Sequence, residues 1–185
     1  MLIEVTVTPT TDTEKKLFDR PQALINFRAG MRRATEMLER EVERNAPKAT
    51  GDFLASISST THEYGDPFRS VARIYSTHPA ADVIEFGAEP HTVPIRSILR
   101  WMQAVNMNIK NKKTPEEVAH MIQHKIEEYG LKPHHTFTRS YDSAEDYFHS
   151  ALDPVLDAIG GEAEYATELR SSGSYVASYP HVIYE

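Results

Sequence analysis

Histidines are the first residues in this chain whose type and spacing could do chemistry. His120 and His124 stand four apart, the separation that lets two imidazoles on one helix face grip a single metal ion. Met121, Ile122 and Gln123 lie between them, so the glutamate base of the zinc-protease motif is missing. At about 100° per residue His120 lies about 200° from Val118, away from the apolar stripe of its helix, and a solvated pair is the plainer reading. His134-His135 beside Pro133 could supply a ligand or a general base. Adjacent residues of an extended segment point to opposite sides, so one is expected exposed and the other half-buried. Ser172 and Ser174 lack the strand–elbow–helix setting of a hydrolase nucleophile. The eight glycines are dispersed, Gly160-Gly161 being the only pair, so no phosphate-cradling loop is present. Glu85, between Ile84 and Phe86, is an acid in an apolar run; an ion pair or a backbone cap explains it more simply than a catalytic base.

None of these outcompetes its structural explanation, and composition narrows the choice further. There is no cysteine among 185 residues, which removes disulfides, thiolate zinc sites and cysteine nucleophiles and suits a reducing compartment. A formal charge of −7, from 20 Lys and Arg against 27 Asp and Glu, argues against DNA capture by a basic surface. The basic residues read as scattered, the only tight run being Lys110-Asn111-Lys112-Lys113, a solvated loop. No apolar run approaches the roughly 18 residues that span a bilayer, and the first residues lack the pattern of a secretory signal. No cofactor is expected.

The elements that must carry these residues follow from periodicity. Ile3, Val5 and Val7 alternate with polar residues as in a half-buried strand, and Thr8–Thr13 reads as a loop. Pro21 opens a helix whose stripe is Leu24, Phe27, Met31, Ala34, Leu38 and Val42; it closes at Asn45, before Ala46-Pro47, after roughly 38 Å. Strand signals cover Phe53–Thr61 and Ser70–Tyr75, the second apolar on both faces as a central strand would be. Asp82–Phe86 fits a third short strand or a helical turn. Ile95, Ile98, Leu99, Met102 and Val105 predict a short helix with Trp101 at its edge. Thr114-Pro115-Glu116-Glu117 predicts a capped helix burying Val118, Met121, Ile122, Ile126 and Tyr129 and stopping at Gly130. Leu131–Phe137 is expected extended, and Ser140–Leu152 helical, with Pro154 kinking it or starting a new turn. The expected fold is α+β: a small antiparallel sheet packed against the long N-terminal helix and two to three others. Residues 1–160 form the domain, and residues 161–185 an extended C-terminal arm.

The punctuation of this scaffold resembles one family. Ala46, Pro47, Thr50 and Gly51 after a long helix, then Ile57 in a strand, then Val83, Glu85, Phe86 and Gly87, are similar to the tail-completion proteins of long-tailed bacteriophages, also described as head–tail joining, neck or minor tail proteins. Gly130, Pro133 and Phe137, with Ala144 beyond them, resemble that family's closing pattern, and Trp101 fits its longer members. Ala88 stands where the family usually has Thr, and three residues separate Pro133 from Phe137, which the family usually places together. The resemblance spans about Pro21 to Leu152. It implies a structural virion protein without enzymatic activity, made in the bacterial cytoplasm. Such a protein assembles as a homo-oligomer, typically a hexameric ring, between the head connector or stopper and the tail tube or tail terminator. DNA passes through the ring without specific binding, and no membrane is involved. Other neck or tail components, a tail terminator or a head-completion protein, are the alternatives within that class. A small metal-dependent hydrolase using His120, His124, His134 or His135 is the alternative outside it.

Overall fold

The computed structural model describes residues 1–63, 69–109 and 113–171. It is α+β, with one four-stranded antiparallel sheet and helices on one of its faces. In chain order the elements are β1 (Leu2–Pro9), α1 (Thr11–Asp19), α2 (Pro21–Asn45), α3 (Asp52–Ala55), β2 (Ile57–Glu63), β3 (Ser70–Ser76), α4 (Ala81–Phe86), α5 (Ile95–Ala104), α6 (Pro115–Tyr129), α7 (Thr136–Tyr141), α8 (Ala144–Asp157) and β4 (Ala163–Arg170). The strand order is β2-β3-β1-β4.

Alternation along β1 builds the core. Ile3, Val5 and Val7 are fully buried, and their cross-strand partners Ile74, Ala72 and Ser70 on β3 lie on the same face. β3 is central, as its two-sided apolar character predicted. The reverse face is polar: Arg73 on β3 donates to Glu4 on β1 at 2.6 Å, and Arg170 on β4 approaches the same carboxylate at 3.7 Å. Against the core face lies α2, with the expected bounds. Phe27, Met31, Ala34, Leu38 and Val42 are buried and Leu24 is half-buried, each fully buried large side chain contributing on the order of 2 kcal/mol. Gly30 lets α8 approach α2 closely; a Cβ there would stand 2.8 Å from Leu152 Cδ2 and 3.0 Å from the Ala151 carbonyl oxygen.

Several segments differ from the sequence expectation, each for a local reason. Thr8 and Pro9 end β1, and Thr11–Thr13 begin α1, because the Thr10 hydroxyl caps the helix by accepting from the Thr13 N–H. Phe53–Ala55 is a helical turn after Gly51, whose φ is 82°; the strand begins only at Ile57. Phe53 and Ile57 are buried while Ala55 is exposed, so the apolar spacing is four, not two. Asp82–Phe86 takes the helical alternative. Thr136 and Phe137 open α7 instead of ending an extended segment, and Asp142-Ser143 separates α7 from α8 where one helix was expected. Pro154 sits inside α8 on its exposed side, and the helix runs on to Asp157.

The α6 helix has its capping box, with the Thr114 hydroxyl accepting from Glu117 N–H and the Glu117 carboxylate from Thr114 N–H. Its buried face is narrower than expected. Ala119 is buried against α5 and Ile126 is also buried, whereas Met121 and Tyr129 are 49% and 72% exposed. The two helices form a lobe with its own small core of Ile98, Met102 and Ala119, separate from the main cluster.

The largest departure lies after Gly161. Ala163–Arg170, expected within a free arm, is the edge strand β4, paired with β1 along its whole length. Ala163, Tyr165, Thr167 and Leu169 face the helices, and the turn before them is held by Thr13, whose hydroxyl accepts from Glu162 N–H at 2.7 Å. Two tyrosines fasten the strand: Tyr141 donates to the Thr167 carbonyl at 3.0 Å, and Tyr165 to Asp153 at 2.8 Å. The remainder of the arm (172–185), the loop beyond Glu63 and the center of the Met107–Lys113 loop lie outside the described residues.

Burial first, then the Asp153 hydrogen bond, pushes the Tyr165 phenol well above its ordinary value of 10. The unfolded chain therefore releases this proton near pH 10 while the folded chain retains it, so this contribution to stability is complete below pH 10 and lost above it. Thermal melts from about pH 9 to 11 should fall less steeply for Tyr165→Phe than for the parent; parallel curves would contradict this assignment.

Candidate functional site

The second and third groups of motif residues, around Glu85-Phe86-Gly87 and Gly130 to Phe137, converge on one clasp. Helix α4 ends in Glu85-Phe86-Gly87, and Glu85, in its last turn, is completely buried. One of its carboxylate oxygens accepts from Phe137 N–H at 2.8 Å. The other accepts from Thr138 N–H at 2.8 Å and from the Thr138 hydroxyl at 2.6 Å. These N–H groups belong to the first turn of α7, where no intrahelical carbonyl is available to them, so the carboxylate serves as the missing cap. The backbone continues the contact: His134 N–H donates to the Ile84 carbonyl at 2.8 Å and His135 N–H to that of Glu85 at 3.3 Å.

Two glycines complete the clasp. Ala88 and Leu131 exchange backbone hydrogen bonds of 3.0 and 2.8 Å as an isolated antiparallel bridge. Gly87 and Gly130 flank it with φ of 76° and 71°. A Cβ on Gly87 would lie 2.2 Å from the Leu131 carbonyl oxygen, and one on Gly130 2.1 Å from that of Ala88. Both positions need glycine for conformation and for space. The α5–α6 lobe is thus a loop of chain that leaves and re-enters the body through one narrow neck. Phe137, immediately beyond that neck, is fully buried in the main core together with Ala144.

The remaining motif residues serve other parts of the frame. Ala46 is buried at the end of α2, Thr50 accepts from Asp52 N–H at 3.3 Å, and Gly51 makes the left-handed turn into α3. Pro47 follows the last residue of α2 closely and does not reach the clasp's hydrogen bonds. Pro133 lies in the re-entering segment, its nitrogen 3.0 Å from where a Gly87 Cβ would be.

The histidines take separate places. His120 and His124 are exposed on α6. His134 is half-buried with Nδ1 3.2 Å from the Thr136 hydroxyl, and His135 is exposed, as the alternation expected. His135 holds φ of 58°, a left-handed conformation that releases the chain into α7. Among the described residues no three His, Asp or Glu side chains come together to hold a metal. A hollow of about 340 Å³ between α2 and the end of β2 is lined by Ile25, Met31 and Arg32 and by Arg28, which is already paired with Glu63 at 2.6 Å. His149 and Tyr165 share the Asp153 carboxylate, and their rings lie 4.0 Å apart, a contact the sequence did not single out. No described helix is long and apolar enough to cross a membrane.

Removing the Glu85 carboxylate should orphan two buried N–H groups and open a void. Glu85→Ala should cost about 4 kcal/mol in denaturant unfolding, and Glu85→Gln, which retains one acceptor, about 2 kcal/mol. Equal stabilities for parent and both variants would refute the clasp.

Compared with family models, curated proteins and solved structures, the chain matches none.

Proposed function

We propose that this chain is a structural virion protein of a long-tailed phage, completing or joining the tail at the head–tail interface as a ring around the DNA path. The observation that carries the reading is the clasp. Glu85-Phe86-Gly87 and Gly130…Phe137, two of the segments that carry the tail-completion resemblance, are more than forty residues apart in the chain, yet each supplies what the other lacks. Glu85 caps the helix of Phe137, and each glycine makes room for the other segment's backbone. These two segments therefore act as one structural unit.

Charge and chemistry support the same reading. A formal charge of −7 suits a path along which DNA slides without being held. The polar groups of the clasp are satisfied by one another, which suits a scaffold role. The neck it forms presents the α5–α6 lobe as a separate projection toward neighbouring proteins.

Mass spectrometry of purified virions from the encoding phage, or from the induced prophage, should find the chain at a few copies per particle. Deleting its gene should yield heads and tails that fail to join. Infectious, normally joined particles lacking the protein would overturn the proposal.

A further inference from the structure

Charge along this chain is segregated in blocks. From Pro90 to Pro115 there are five lysines and arginines and no acid, whereas from Ser140 to Leu169 there are eight acids and no lysine or arginine. The described parts of these blocks lie on different bodies: α5, with Arg96 and Arg100, packs with α6 in the lobe, and α8 packs with α2 and β4. On the outer side of α5, Arg96, Arg100 and Trp101 are exposed, Trp101 by 41%. Arg96 and Arg100 stand one helical turn apart, and neither has a hydrogen bond or ion pair among the described residues. Across the junction of α7 and α8, Asp142 at the end of α7 and Glu145 and Asp146 in the first turn of α8 are exposed; Asp142 and Asp146 stand four residues apart and are likewise unpaired among the described residues.

We propose that the Arg96–Arg100–Trp101 face of α5 docks on the Asp142–Asp146 face of a second copy of this chain. Matching spacing lets two guanidiniums meet two carboxylates across the contact, and the exposed indole at the flank of that pair supplies flat apolar area of the kind that anchors interfaces. The opposite signs restrict the contact to unlike faces. Pairing α5 with α5 would oppose two positive faces, and pairing α8 with α8 two negative ones. After one contact forms, one copy retains an unused acidic face and the other an unused basic face, so association closes reciprocally within a pair or repeats head to tail into a ring where the rotation permits. This deepens the ring reading above and rests on it for its setting.

The test uses the full chain and a pair of charge reversals. Arg96→Glu with Arg100→Glu makes both faces acidic; Asp142→Arg with Asp146→Arg makes both basic. Sedimentation velocity of the parent should show concentration-dependent association, weakened at least tenfold between roughly 0.05 and 1 M salt. Emission from Trp101, the sole tryptophan, should move to shorter wavelength as association proceeds. Each reversed variant alone should stay monomeric with the parent's circular dichroism and melting temperature, and an equimolar mixture of the two should associate again. A parent monomeric at low salt at every concentration would overturn the proposal. So would variants that associate like the parent, a mixture that stays monomeric, or a Trp101 shift produced by duplex DNA and not by a second copy. Joined virions assembled equally well by both reversed variants would remove this contact and leave the tail-joining reading intact. A working charge-swap pair in a chain absent from virions would support the contact and remove that reading.

Discussion

A carboxylate cut off from water must find all its donors inside the protein, and in this fold that requirement ties the molecule together. Glu85 sits at the end of one short helix and finds its donors at the start of another, with Phe137 and Thr138. Neither helix is long enough to be stable alone, so each is held by this contact and by the core. Once α7 is fixed, Phe137 is delivered into the main cluster beside Phe27 and Phe148, and the chain between the helices is confined to the Ala88–Leu131 neck. Losing any one donor or acceptor here would leave a buried partner unsatisfied, so the node tolerates change less than an apolar contact of the same size.

The neck has a second effect. It joins two bodies with separate cores: a main body in which α2 and α8 approach closely at Gly30, and a lobe held by Ile98, Met102 and Ala119. The small lobe core buries little apolar surface, and so contributes little stability of its own. Its orientation relative to the sheet is instead set by backbone hydrogen bonds and by the packing of two glycines against opposing carbonyls. A projection of this kind can keep polar, charged and aromatic side chains outward without compromising the main core.

Much of the frame could be read from residues alone. The apolar stripe of α2, its opening Pro21 and its stop before Ala46-Pro47 are strong local signals, as are the capping box of α6 and the alternation in β1. Phe53 was misread because Phe53, Ala55 and Ile57 satisfy a period of two while Phe53 and Ile57 also satisfy a helical step; Gly51 decided between them. Met121 and Tyr129 were placed inside because an apolar stripe does not reveal that its helix has a single small partner. β4 has the alternation of a strand, but its inward residues are mostly small or polar and its partner is at the other end of the chain. The role of Glu85 as a cap was among the readings its sequence allowed, but its partners were not legible. Two of its donors are backbone N–H groups, which almost every residue carries, so no pattern of side chains marks them. The histidine spacing at 120 and 124, conspicuous in the sequence, corresponds only to an exposed helix face.

The sheet order also dictates when folding can finish. β1 lies inside the sheet, yet Pro9 pairs with Ala163 and Leu2 with Arg170, separations of 154 and 168 residues. Loop closure over such distances is slow, so a native sheet forms late compared with the local helices. During synthesis the first strand waits, with one row of hydrogen-bonding groups unpaired, until the ribosome has made and released the strand that covers it. Any fragment ending before Ala163 would carry that apolar strand with an open edge, and open apolar edges recruit other chains. The segment expected to hang free as an arm is therefore the one that covers this edge.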